Sequence, residues 1–242
     1  MASRNAEIME SPCKKFLTWS SITDDDDKII DAGFNFWDKN KGDKGEKVYV
    51  KPPLKFALLN DDCVTFKGYN EKSKQGVWSN EASKPNHEIK IKSKQGTLLQ
   101  FKLSEYKDNK DNVEGLGAKY TKSVYIAVYV NGAWEMWNLQ LSGAALSGAV
   151  DKDNTDESER FHGWFNFIKG FKSKIFSNMI VVKDFQLKKK GKTKFTIPLY
   201  ELGEAISQED DADLRKLTDE LDAYHKFYFS TPAKEETGDL PF

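Results

Sequence analysis

From Glu46 onward, apolar and polar residues alternate in short runs, at 46–51, 54–59, 62–69, 88–92, 97–103, 119–130 and 133–142. A period of two marks strands with one buried face. Several such strands at close spacing predict a mainly β fold, an OB-like barrel of short antiparallel strands with added helices. Residues 142–150 are small and apolar, enough for one or two helical turns. Phe161, Trp164, Phe165, Ile168 and Phe171 recur at helical spacing and predict an amphipathic helix over 158–172. Strands over 179–188 and 193–199 flank a lysine-rich turn at Gly191. Leu214, Leu217, Leu221 and Tyr224 mark a final helix starting near Ser207, whose hydroxyl and Asp210 suit a capping arrangement. Residues 1–45 are polar and interrupted, with isolated anchors Phe16, Trp19, Phe34, Phe36 and Trp37. They read as an N-terminal arm packing on a body at 46–229, and residues 230–242 read as a disordered acidic tail.

The segment 119–142 fixes its own register. Asn131-Gly132 separates two alternating runs and predicts a tight hairpin with both turn residues at positive φ. Val130 then faces Ala133, Tyr129 faces Trp134, Ala127 faces Met136, Ile126 faces Trp137, Tyr125 faces Asn138 and Val124 faces Leu139. One side, with Val124, Ile126, Val128, Trp137, Leu139 and Leu141, must be core. The other carries Lys119, Tyr125, Tyr129 and Trp134 among Ser123, Asn138 and Gln140. Aromatics among polar and basic residues on a non-core face make a candidate base-stacking platform. The competing reading is that a helix or the arm covers this face, making those rings a second small core.

Other strands repeat the pattern. Tyr49 lies between Lys47 and Lys51 in parity, Lys67 and Tyr69 oppose Val64 and Phe66, and Lys90 and Lys92 oppose Ile89 and Ile91. Lysine for phosphate and ring for base is what a groove tracking a nucleic-acid backbone needs. Trp78 follows a flexible polar loop and is a further candidate, or else a plug for the end of a barrel. The densest positive charge runs from Lys169 to Lys194. Within it, Lys188, Lys189, Lys190 and Lys192 surround Gly191 at a hairpin tip able to follow phosphates without reading sequence. Lysine rather than arginine suits non-specific contact.

Overall charge conceals two opposed regions. The formal net charge is −1, yet residues 201–242 hold twelve Asp and Glu against four Lys and Arg, a net of −8, leaving +7 on residues 1–200. A basic body with an acidic end suits a polyanion binder whose own tail competes for the groove. Cys13 and Cys63 and the scattered His87, His162 and His225 give no metal-ligand spacing, so neither a metal nor another cofactor is expected. The thiols read as reduced and the protein as cytoplasmic, with no membrane-spanning run and no export signal. Asp24-Asp25-Asp26-Asp27-Lys28 reads as a solvated turn. No phosphate-cradling glycine loop, nucleophile elbow or metal-binding His pair supports catalysis. The expectation is a protein that is not an enzyme.

The final residues, Glu235-Glu236-Thr237-Gly238-Asp239-Leu240-Pro241-Phe242, form an acidic run closing on an apolar residue, a proline and an aromatic. This resembles the acidic tip of single-stranded DNA-binding proteins, which in bacteria closes on Ile-Pro-Phe, and the acidic tail with terminal phenylalanine of T7-type phage proteins of that class. Leu240 stands where the bacterial tip has isoleucine. The resemblance implies an OB fold that binds single-stranded DNA without sequence preference in replication, recombination or repair. It also implies that Asp239, Leu240, Pro241 and Phe242 dock on replication or repair proteins such as a polymerase, helicase or primase. In a phage the site of action is the host cytoplasm. The body offers no motif that aligns residue by residue, and the oligomeric state, a homodimer included, stays open. The alternative class is a phage structural or assembly protein whose aromatics pack between subunits. A carbohydrate-binding module comes third.

Overall fold

The computed structural model describes residues 9–26, 28–148, 163–172, 174–190 and 193–230. Among these residues eleven strands are formed: β1 (Lys15–Thr23), β2 (Ile29–Asp38), β3 (Glu46–Val50), β4 (Leu54–Asn70), β5 (Gln75–Ser79), β6 (Glu88–Ser93), β7 (Gly96–Lys102), β8 (Ala118–Val130), β9 (Ala133–Ser142), β10 (Asn178–Lys190) and β11 (Thr193–Ala205). The helices are α1 (Tyr106–Gly115), α2 (Gly143–Ser147), α3 (Trp164–Gly170) and α4 (Gln208–Ser230). None of the helices described is long and apolar enough to cross a membrane.

The protein is mainly β, as its alternation requires, but its sheet is not closed into a barrel. The strand order is β3-β2-β1-β9-β8-β4-β5-β6-β7, with β10 branching from β4 at residues 180–182 and β11 pairing with β10. Among the described residues β3 and β7, at the two ends, do not pair with each other. The sheet is mixed because β1 lies parallel to β9, from Lys15 beside Trp137 to Thr18 beside Gln140. Nor are the strands uniformly short. The runs 54–59 and 62–69 join into the single β4, whose register shifts between Leu58 and Cys63.

The residues expected to form an arm instead supply two strands of the sheet. In β1 and β2 the buried positions Leu17, Ala32 and Phe34 alternate with Phe16, Thr18, Asn35 and Trp37 on the other face. Aromatics on both faces hide that alternation from a reading by hydropathy. The Asp24 carboxylate accepts the N–H groups of Asp26 and Lys28, which makes the predicted turn between these strands.

The β8–β9 hairpin has every predicted pair, from Val130 beside Ala133 to Val124 beside Leu139. Asn131 and Gly132 have φ of 50° and 88°. Val124, Ile126, Val128, Trp137, Leu139 and Leu141 join the largest core cluster, which α2, α3 and the β10–β11 hairpin cover. A second cluster under the strand ends buries Val64, Phe66, Ile89, Ile91 and Phe101 against Val113 of α1. On the opposite face of the sheet, α4 lays Leu214, Leu221 and Tyr224 on Ala57, Leu59, Ala127 and Met136. The start of α4 is capped as predicted: the Ser207 hydroxyl accepts the Asp210 N–H at 3.0 Å and donates to its carboxylate at 2.7 Å.

Candidate nucleic-acid interface

Strand pairing sets residues of neighbouring strands side by side on one face, and alternation sends their neighbours to the other. Across β8, β4, β5 and β6 this produces one row. Lys119 pairs with Lys67, Lys67 with Trp78, and Trp78 with Lys92. Their chain neighbours Ala118, Phe66, Val77 and Ile91 are buried in the core below. Tyr69, two residues beyond Lys67, shares the face and is 49 % exposed.

The same face continues in the other direction. Ser123 of β8 pairs with Gln140 of β9, which lies beside Thr18 of β1, and Thr18 pairs with Asn35 of β2. Asn35 pairs with Tyr49 of β3, and Trp37 pairs with Lys47. Phe16, Trp37, Tyr49 and Lys47 therefore line one end and Lys119, Lys67, Trp78 and Lys92 the other. The centre is hydroxyl and amide. Asn138 donates to the Ser123 hydroxyl at 2.8 Å, and Asn35 donates to the Thr18 carbonyl oxygen at 2.7 Å and the Ser20 hydroxyl at 2.9 Å. This face, opposite the main core, spans eight strands; Ser123, Asn138, Gln140 and Asn35 at its centre are buried, and α4 covers the part at Ala57, Tyr125 and Ala127.

Its cations are held in different ways. Lys67 reaches across β8 to donate to Gln140 Oε1 at 3.0 Å. Burial pushes its amine down to about 8, against the pull of the nearby Glu81 carboxylate. Lys51 pairs with Asp31, and the hydrogen bond from Lys51, with a second from the Ala32 N–H, holds the Asp31 carboxyl below its ordinary value. The Lys47 Nζ lies 5.2 Å from the centre of the Tyr49 ring. Lys119 is exposed, and Trp78 and Lys92 are half-buried.

Compared with known protein families, curated proteins and solved structures, the chain matches none.

The hairpin platform expected at Tyr125 and Trp134 is not assembled. Both rings lie under α4, whose apolar stripe needs that surface. Tyr125 is 1 % exposed, donates to Glu81 Oε2 at 2.6 Å and meets the His225 ring edge-on. Burial, then the Glu81 charge, raises its phenol far above the ordinary range. Trp134 donates to Asp210 Oδ1 at 3.2 Å and packs with Tyr129, ring centres 5.3 Å apart. Tyr129 is exposed, but it stands at the hairpin tip beside the acidic start of α4 rather than among the lysines.

On the β10–β11 hairpin, Lys188 pairs with Phe195 and Lys189 with Lys194, and Lys189 and Lys194 are exposed. Lys190 ends β10. Its side chain, Lys192 and the tip residues Asp239, Leu240, Pro241 and Phe242 lie outside the described residues.

Two groups of exposed rings were not anticipated. Phe16 and Trp37, 43 % and 51 % exposed, lie on the polar face because β1 and β2 belong to the sheet. Phe165, Phe171 and Phe176 are exposed among the exposed Lys169, Lys172 and Lys174, while Trp164 and Phe167 take the buried side of α3. Strand parity from Phe34 and Phe36 would have pointed to Trp37. Helical spacing alone places Phe165 and Phe171 inside with their neighbours.

Proposed function

We propose that the protein binds single-stranded DNA without sequence preference, is not an enzyme, and recruits replication or repair proteins through Asp239, Leu240, Pro241 and Phe242. The observation that carries this reading is the row Lys119, Lys67, Trp78 and Lys92, continued by Phe16, Trp37, Tyr49 and Lys47 on the same face of the sheet. Lysine, a point charge without the bidentate fork of arginine, contacts phosphates and confers no base preference. Rings stack on any base, each contributing roughly 1 to 3 kcal/mol. If Lys47, Lys51, Lys67, Lys92 and Lys119 each neutralise one phosphate, log affinity falls against log salt with a slope of about −3.5.

A fluorescent single-stranded oligonucleotide, titrated at two salt concentrations with duplex as competitor, tests the reading. Salt-sensitive binding that prefers the single strand and quenches tryptophan emission is expected. Absence of binding at low salt favours the alternative, a structural or assembly protein. A chain lacking residues 233–242 is expected to bind more tightly at low salt, where the acidic end competes for the lysines, and to lose partner recruitment. Unchanged affinity would remove the competition and unchanged recruitment the docking.

Lys67 gives the binding a pH dependence. Its amine titrates at about 8 in the free protein, and a phosphate beside it favours the charged form. Binding therefore takes up a proton above pH 8, and affinity is expected to fall as pH rises through that value. The Lys67→Gln variant should bind more weakly below pH 8 and lose that step. Folding has the opposite sign. The folded-state value lies below the unfolded one, so stability rises with pH from about 8 towards the ordinary lysine value.

A further inference from the structure

We propose that Cys63, Glu81 and His225 form a binding site for a zinc-like divalent metal that clamps α4 to the sheet. Cys63 comes from β4, Glu81 from the segment between β5 and β6, and His225 from α4. Their sulfur, carboxylate oxygen and ring nitrogen all lie within 4.8 Å of one another. The Cys63 Sγ and His225 Nε2 are 3.7 Å apart. Zinc binds thiolate at about 2.3 Å and imidazole at about 2.0 to 2.1 Å, so a tetrahedral ion separates the two ligand atoms by about 3.6 Å. The observed distance fits that span without movement of either side chain.

The surroundings hold the ligands as outer-shell groups do at metal sites. The Ser123 hydroxyl donates to Glu81 Oε1 and the Tyr125 phenol to Oε2 at 2.6 Å, so each carboxylate oxygen is held by one donor of β8. The imidazole of His225 is flanked by Tyr125 and Phe229, with ring centres at 4.9 and 5.5 Å. One thiolate and one carboxylate balance a dication, and the neutral imidazole adds no charge, so the filled site carries no net charge into its half-buried position. A thiolate with an imidazole favours zinc over magnesium or calcium, which prefer oxygen donors. Three protein ligands leave a fourth position open to water. Cys13 packs against the same cluster but is not one of the three.

The test uses the full chain without an affinity tag, stripped with chelator and titrated with zinc chloride or cobalt chloride. Stoichiometric zinc is expected, together with a sulfur-to-cobalt charge-transfer band and the intense visible bands of tetrahedral cobalt. Cys63→Ser should abolish the charge-transfer band, and Cys13→Ser should leave it intact. His225→Gln and Glu81→Gln should weaken zinc binding at least about 10-fold. Zinc should raise the melting temperature of the native chain and not that of His225→Gln, whose fold is checked by circular dichroism in case Cys63→Ser does not fold. Substoichiometric zinc, a charge-transfer band that survives Cys63→Ser, or one lost with Cys13→Ser would overturn the site.

Discussion

Replacing Lys67, Lys92 and Lys119 together by glutamine is expected to weaken single-stranded DNA binding about 100-fold near 0.1 M salt and to make the salt slope shallower by about 2. The three cations belong to one row, linked by pairing through Trp78. Each phosphate that a lysine neutralises releases about 0.7 of a counterion, which near 0.1 M salt is a factor of about 5 per contact. Three contacts multiply to the expected loss. Glutamine stays polar and keeps the first two methylene groups over β8, but it is one atom shorter than lysine and gives up the hydrogen bond to Gln140. The effect should appear in affinity and salt slope, with thermal stability unchanged or slightly raised by removal of the half-buried Lys67 charge. Equal replacement of Lys107, Lys110 and Lys216, exposed residues of α1 and α4, removes the same charge elsewhere and should leave the slope nearly unchanged. Loss of affinity in both triple variants with the same slope would mean that general charge, not this face, does the binding.

Replacing Leu221 by alanine is expected to lower folding stability by about 2 to 5 kcal/mol, read from denaturant unfolding. Leu221 is fully buried at the centre of the cluster that joins α4 to the sheet, among Leu59, Tyr125, Met136 and Leu214. Leu59, Tyr125 and Met136 belong to strands fixed by their own ladders, so the space left by the lost methyl groups cannot close. The same substitution at Leu98, 40 % exposed on β7, removes little buried area and should cost less than about 1 kcal/mol. A small effect at Leu221 would mean that α4 is held elsewhere, with the Trp134 N–H donated to Asp210, the Glu81 N–H donated to the Tyr228 hydroxyl and the Phe229 ring against His87 as the remaining anchors.

The parts of this fold legible in the sequence are those decided locally. Asn131-Gly132 dictates one turn geometry, and a turn plus strict alternation dictates every pair of β8 and β9 and which of their sides is core. Leu214, Leu221 and Tyr224 likewise declare a helix with one apolar stripe. What the stripe does not declare is its address. For Tyr125 and Trp134 an open platform and a covered second core stayed alternatives, because hydropathy is silent on which sheet face a distant helix will cover. The row at Lys67 was half legible: parity placed Lys67 and Tyr69 together, but Trp78 joins them only through β5. Its five residues follow a turn with Lys74 at a φ of 55° in place of a glycine or asparagine signal. β1 and β2 were hidden by aromatics on both faces. Barrel closure was not legible, because edge partners depend on where β1 inserts, and its parallel pairing with β9 leaves no trace in either strand.

The most direct test of the polar face as the binding surface is photo-crosslinking of a bromodeoxyuridine-substituted single strand to the full chain, with the attached residues mapped by mass spectrometry. Crosslinks at Trp78, Tyr69, Trp37 or Phe16, suppressed by salt and by unlabelled single strand but not by duplex, are the predicted result. Crosslinks confined to Phe165, Phe171 and Phe176, or an absence of salt-sensitive crosslinks anywhere on the sheet, would contradict it.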